Sequence, residues 1–127
     1  MLRTLCLALA ALALLAAPAH AQQSVAGDWS GVALQNQPEQ TWTLELVLNA
    51  DGAGTIAYPS LNCGGTVEPE SRQGGVILLR EHITYGRCVN KGVIGIYMFS
   101  GRLMWFWVGD EFEYPNMSAS AVLYRQE

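Results

Sequence analysis

Basic residues, histidine and cysteine are all scarce in this chain, and each scarcity removes a class of chemistry. Among 127 residues there are 7 Lys or Arg against 11 Asp or Glu, a formal charge of −4. A nucleic-acid binder carries a basic surplus, so no nucleic-acid partner is expected. Outside the first 21 residues only one His and two Cys remain, fewer than a multi-ligand metal site wants, and no metal or other cofactor is expected. A Ser–His–Asp or Cys–His enzyme would have to be built around almost no imidazole. The pairs Gly64-Gly65 and Gly74-Gly75 lack the Lys-Ser/Thr ending and following helix of a phosphate loop. They read as turn or bulge residues. No run reaches 18 apolar residues, which argues against stable membrane insertion by a helix.

What is present starts with a leader. Arg3 supplies a positive start, residues 5–17 are apolar, and Ala19-His20-Ala21 offers small residues where a signal peptidase reads. Thirteen residues rising 1.5 Å each span about 20 Å, short of the roughly 30 Å hydrocarbon core. Cys6 lies inside the apolar run, so it is not placed as a lipoprotein cysteine. The reading is a signal peptide over 1–21, cleaved between Ala21 and Gln22, and one domain over 22–127. The protein is expected in the periplasm or the medium. The remaining 106 residues hold two Cys, one His, six basic and eleven acidic residues, a net charge of −5.

Export changes what the thiols mean. Cys63 and Cys88 are the only pair left, and an oxidising compartment favours a disulfide. Closing a loop of about 25 residues stabilises a fold by roughly 3–4 kcal/mol in the chain-entropy model. A redox-active pair would want a CxxC-like spacing, and this one is far wider.

The rest of the chain alternates with period two and lacks helical periodicity. Strands are expected at 27–34, 41–49, 54–58, 63–68, 76–84, 92–99, 102–108 and 118–125. Residues 41–49 are the clearest: Trp42, Leu44, Leu46 and Leu48 face one way, Thr43, Glu45 and Val47 the other. Asn49 to Gly52, Ser71 to Gly75 and Ser100-Gly101 read as turns, and Pro59 and Gly86 as strand breaks. Eight short strands with tight turns suit an all-β, antiparallel, up-and-down barrel, which leaves no open edge. A two-sheet β-sandwich is the alternative.

Gly27-Asp28-Trp29 is similar to the G-x-W on the first strand of lipocalins and avidins, which implies a calycin-like barrel. A wider resemblance covers Gly27 to Gly31, Ile56 to Gly65 and Glu81 to Cys88. Together these resemble an uncharacterised bacterial exported domain family with GxWxG, YPSLxCxG and ExIxxGxC motifs and a final apolar strand. In that family the domain stands behind a signal peptide or outside the membrane on larger proteins. The resemblance implies export and the disulfide, and it implies no activity. Val67 stands where leucine is more usual.

Candidate functional residues follow from the strand pattern. His82 shares a face with Arg80, while Glu81 lies with Ile77, Leu79 and Ile83. An inward Glu81 needs a partner, and Arg87 or Arg102 could supply one, either as a structural pair or to grip a polar ligand. Residues 103–108 are apolar on both faces, so either Met104 and Phe106 or Trp105 and Trp107 point outward. Asp110, Glu111, Phe112, Glu113 and Tyr114 form an acidic, aromatic loop without the spacing of a calcium loop.

Two functional expectations result. The first is a non-enzymatic exported interaction or inhibitor module, binding a protein through Trp105, Trp107, Asp110, Glu111, Phe112 and Tyr114, with Glu81 and Arg87 as further contacts. The alternative is a small-molecule carrier, with Trp29, Trp42, Tyr58 and Glu81 lining a cup and Gly31, Ala33, Ala57 and Gly95 opening space. An enzyme would need Glu81, His82 and Arg87 to converge in one cleft.

Overall fold

Alternation decides which side of each strand is dry. In the computed structural model, which describes residues 24–89 and 92–127, Trp42, Leu44, Leu46 and Leu48 are buried and their neighbours Thr41, Thr43, Glu45 and Val47 exposed. The same rhythm runs through β1 (Gly27–Asn36), β2 (Glu39–Leu48), β3 (Gly54–Tyr58), β4 (Cys63–Gln73), β5 (Val76–Tyr85), β6 (Gly92–Phe99), β7 (Arg102–Gly109) and β8 (Ser118–Arg125). Each strand pairs antiparallel with the next, and β8 returns to β1. The result is a closed eight-stranded up-and-down barrel, not a sandwich. The expected leader and its cleavage site lie outside the described residues.

Closure removes every edge and turns the inward residues into one core. Fully burying a Leu or Ile side chain contributes roughly 1.5–3 kcal/mol, and this core holds Leu44, Leu46, Ile56, Leu79, Ile94, Ile96, Leu103 and Leu123. The inward tryptophans fit because small residues stand beside them. Trp42 is opposite Ala33, Trp105 opposite Ala121, and Trp107 opposite Ala119. Large against small fills the interior without overpacking.

Turn chemistry sets the hairpins. Ser100 and Gly101 both take positive φ, 52° and 77°, which is the two-residue hairpin geometry that splays neither strand. Between β2 and β3, Asn49 N donates to Ala53 O at 2.7 Å and Asp51 Oδ1 accepts from Ala53 N at 3.0 Å. One turn of 3-10 helix, Pro59–Leu61, follows β3 and ends at Asn62 in the left-handed region.

The strand limits differ from expectation mainly in β4, which runs on to Gln73 instead of stopping near Glu68. Its register shifts between Pro69 and Ser71, and that bulge accommodates a proline inside a paired strand. The following turn therefore shrinks to Gly74-Gly75.

Pairing is uneven along the barrel axis. β5 meets β6 only at Ile77–Ile96, Leu78–Gly95 and Leu79–Ile94, so the second half of β5 leaves its neighbour. β2 likewise pairs with β3 only over Glu45 to Leu48. Beyond that point side chains replace the ladder: Thr43 N donates to Ser60 Oγ at 2.9 Å, and Ser60 N to Thr43 Oγ1 at 3.0 Å. Both gaps lie toward the same end. That end is open.

Candidate functional site

The opposite end is sealed from within. Trp29 is fully buried and donates its Nε1–H to Val25 O at 2.9 Å. The Arg125 guanidinium lies 4.3 Å from the Trp29 ring centroid, and its Nη1 donates to Ala26 O at 2.6 Å. A depression of about 480 Å³ outside this seal is walled by Ser24, Ala50, Gly74, Gly75 and Ser100. Its one charged side chain, Arg72, is already committed to Asp51 O at 3.0 Å.

At the open end a cup of about 250 Å³ is lined by Gln35, Gln40, Trp42, Tyr58, Leu61, Glu81, Arg87, Cys88, Val89, Trp107 and Met117. Its floor is aromatic. Trp42 stands edge-on to Tyr58 with ring centroids 5.0 Å apart, and to Trp105 at 5.7 Å. The Trp42 Nε1–H donates to Gln35 Oε1 at 3.3 Å, which also accepts from Gln40 Nε2 at 3.3 Å. Gln35 Nε2 in turn donates to Pro38 O at 3.1 Å and Gln37 O at 3.3 Å. The glutamine thus locks the β1–β2 hairpin to the cup wall.

Glu81 is the acid in this cup. It enters from β5 opposite Val67, just past the point where β5 leaves β6. The Tyr58 hydroxyl donates to Glu81 Oε2. Burial pushes the Glu81 carboxyl up to about 7, with the Tyr58 hydrogen bond offsetting part of the rise. Burial, then the nearby Glu81 charge and the hydrogen bond, push the Tyr58 phenol well above its ordinary range. Neither Arg87 nor Arg102 pairs with Glu81, contrary to the expected ion pair. Arg102 stacks 5.2 Å over Tyr124 at the other end of β7. Arg87 is exposed at the lip of the cup.

The disulfide shapes the rim. Cys63 and Cys88 are joined across 25 residues with Cα atoms 5.8 Å apart, which ties the loop after β5 to the start of β4. Gly86 makes the tie possible: at φ 79°, a Cβ there would sit 2.3 Å from Asn62 O. Cys88 itself becomes part of the cup wall.

The remaining candidates separate. Trp105 is 1% exposed and belongs to the core, and Trp107, 8% exposed, lines the cup. An outward Trp105–Trp107 contact strip is therefore excluded by register, and Met104, Phe106 and Val108 take the outer face of β7. Trp29 seals the far end and does not line the cup. Gly31 and Ala33 share the inward face of β1 with Trp29, whereas Gly95 and Ala57 alternate to the outside, where the Phe106 ring covers Gly95. Asp110, Glu111, Phe112 and Tyr114 lie on the loop after β7, at the open end. Asp110 Oδ1 accepts from Phe112 N at 2.9 Å and Glu113 N at 3.0 Å, and Phe112 is 87% exposed. Asn36 anchors that loop's exit, donating to Asn116 O at 2.9 Å and accepting from Ser118 N at 2.8 Å. His82 is exposed on the opposite side of β5 from Glu81, so Glu81, His82 and Arg87 do not converge.

Sequence reasoning missed Gln35, Gln40, Leu61, Val89 and Met117 as cup residues, and read Cys88 only as a disulfide partner. Gln35 carried a signal, since it continues the inward series Trp29, Gly31, Ala33 at period two. Among the described residues no three His, Cys, Asp or Glu come together to hold a metal, and no helix is long and apolar enough to cross a membrane. No family model matches the chain, and no curated protein or solved structure matches it either.

Proposed function

We propose that this is an exported, non-enzymatic binding protein that takes a small ligand into the cup at the open end of the barrel. The observation that carries the reading is the cup's composition. Trp42, Tyr58 and Trp107 offer apolar surface, and a few polar groups, chiefly Glu81 and Arg87, stand at fixed places among them. Ligand sites of this kind combine apolar walls with sparse, oriented polar contacts. The volume, about 250 Å³, suits a ligand of one ring with a short chain. His82 points outward, and the group beside Glu81 among the described residues is the Tyr58 hydroxyl, pushed well above its ordinary pKa, which favours binding over catalysis. The apolar leader at 5–17 and the Cys63–Cys88 disulfide support release into the periplasm or medium.

Native mass spectrometry of the protein, incubated with small-molecule extract from the medium and envelope of its own host, tests this. A one-to-one adduct is expected, and Met117→Trp, which plugs the cup from its rim, should abolish it. Absence of any adduct, or an adduct that persists in the plugged variant, overturns the reading.

One observation favours a second use of the same end. Phe112 is 87% exposed on an acidic loop beside the cup, where a turn hydrogen-bonded to Asp110 presents it. An exposed aromatic with flanking acids suits docking onto a basic protein. Pull-down from the same fractions should recover a cationic partner whose capture falls at least tenfold in Phe112→Ala. Equal capture by both forms removes this reading.

A further inference from the structure

The cup's hydrogen-bonding groups are unequally committed. The donors on its walls are mostly spent internally: Trp42 Nε1–H and Gln40 Nε2–H on Gln35, the Gln35 amide on Gln37 and Pro38 carbonyls, and the Tyr58 hydroxyl on Glu81. The exceptions are the Trp105 Nε1–H beneath the floor, which has no hydrogen-bond partner among the described residues, and the Trp107 Nε1–H, which lies against Gly92. Glu81 is the reverse case. A carboxylate offers about four acceptor sites, and among the described residues Tyr58 fills only one. The group therefore brings unused acceptor capacity to a cup whose wall donors are mostly spent.

The rings add to the same preference. Tyr58 holds Glu81 and stands 5.0 Å from Trp42, and Trp107 lines the same cup, so the carboxylate faces a space walled by aromatic side chains. Aromatic faces attract cations, more strongly where water is excluded. Among the described lining residues the opposing charge is Arg87, exposed at the lip, where solvent and salt screen it. Outside the leader, eleven acids against six bases also draw cations toward the molecule.

We propose that the cup selects small organic cations, a protonated amine on a one-ring body, with the ammonium donating to the Glu81 carboxylate beside Trp42, Tyr58 and Trp107. This rests on the reading of the cup as a ligand site and names its ligand class. A buried carboxylate held by a single hydrogen bond is costly as pure structure. As the acceptor for an incoming ammonium, it completes its hydrogen bonds only when the ligand is bound. Burial pushes the Glu81 carboxyl up to about 7, as expected for an acceptor lacking its counter-charge.

Three probes of one shape separate the possibilities: 2-phenylethylammonium, 2-phenylethanol and 3-phenylpropionate. Calorimetric titration of the disulfide-intact protein at pH 8, with Glu81 ionised, should give at least tenfold tighter binding for the ammonium than for the alcohol. Glu81→Gln, which keeps an oxygen acceptor for Tyr58, should bring the ammonium down to the alcohol's affinity and leave the alcohol within twofold. Equal binding of ammonium and alcohol, or tightest binding of the propionate through Arg87, overturns the cation preference and leaves the cup as a ligand site. Binding of none of the three overturns both. The comparison of probes on the unaltered protein stands even if the variant fails to fold.

Discussion

The two ends of this barrel are built from similar parts and do opposite things. At one end Trp29 is saturated: its N–H reaches Val25 O, and its face is covered by Arg125, which is itself bonded to Ala26 O. At the other end Trp42 is also held by a hydrogen bond, yet its neighbours Tyr58, Glu81 and Trp107 face open space. The ladder explains the contrast. Near the seal β2 pairs with β3 and β5 with β6, while near the cup both pairs have parted. Tryptophan closes a barrel where strands converge and lines a site where they part.

The largest test of this contrast is at the seal. Trp29→Ala should destabilise the protein by about 3–5 kcal/mol, the usual cost of removing a large buried aromatic. Chemical denaturation checks it, and a loss below about 1 kcal/mol would mean that the sealed end does not hold the barrel.

A middle-sized effect belongs to the cup and depends on pH. The Glu81 carboxyl is raised from 4.5 to about 7, so the folded protein holds that proton more tightly than the unfolded chain. The favourable contribution is therefore complete below about pH 4.5 and is lost as pH rises through 7. At roughly 1.4 kcal/mol per unit, the loss is about 3 kcal/mol. Glu81→Gln should remove this slope, so stability of the two forms must diverge between pH 4.5 and 7.5. Parallel pH profiles would place Glu81 in water instead.

The smallest effect is expected on the loop. Phe112→Ala should change stability by less than about 0.5 kcal/mol, as for an exposed side chain with no packing partner. A larger loss in the same denaturation series would show that the loop braces the cup.

Most of the barrel was legible because its signals are local. Trp42 to Leu48 alternates without a break, and Ser100-Gly101 spells its own hairpin. The end of β4 was not legible, because Pro69 reads as a terminator and only a bulge in the pairing with β5 shows otherwise. Strand β7 is apolar on both sides, so its own residues cannot say which face is dry. The answer lies on β8, where Ala119 and Ala121 leave room for Trp107 and Trp105. The Glu81 partner was hidden for a similar reason. Tyr58 and Glu81 are 23 residues apart on strands separated by β4, and their meeting depends on two successive registers. Arginine was the expected partner on charge alone, and geometry supplied a phenol.

The disulfide gives the cup a sensitivity as well as a shape. Cys88 is both a wall of the cup and the far end of the staple to Cys63. The bond holds the segment carrying Arg87, Cys88 and Val89 against the start of β4. Cys63 is itself a core residue, so the staple joins the barrel interior to the cup wall. Under the proposed reading, a reductant that opens Cys63–Cys88 frees one wall of the cup, so ligand uptake becomes sensitive to the thiol state of its surroundings.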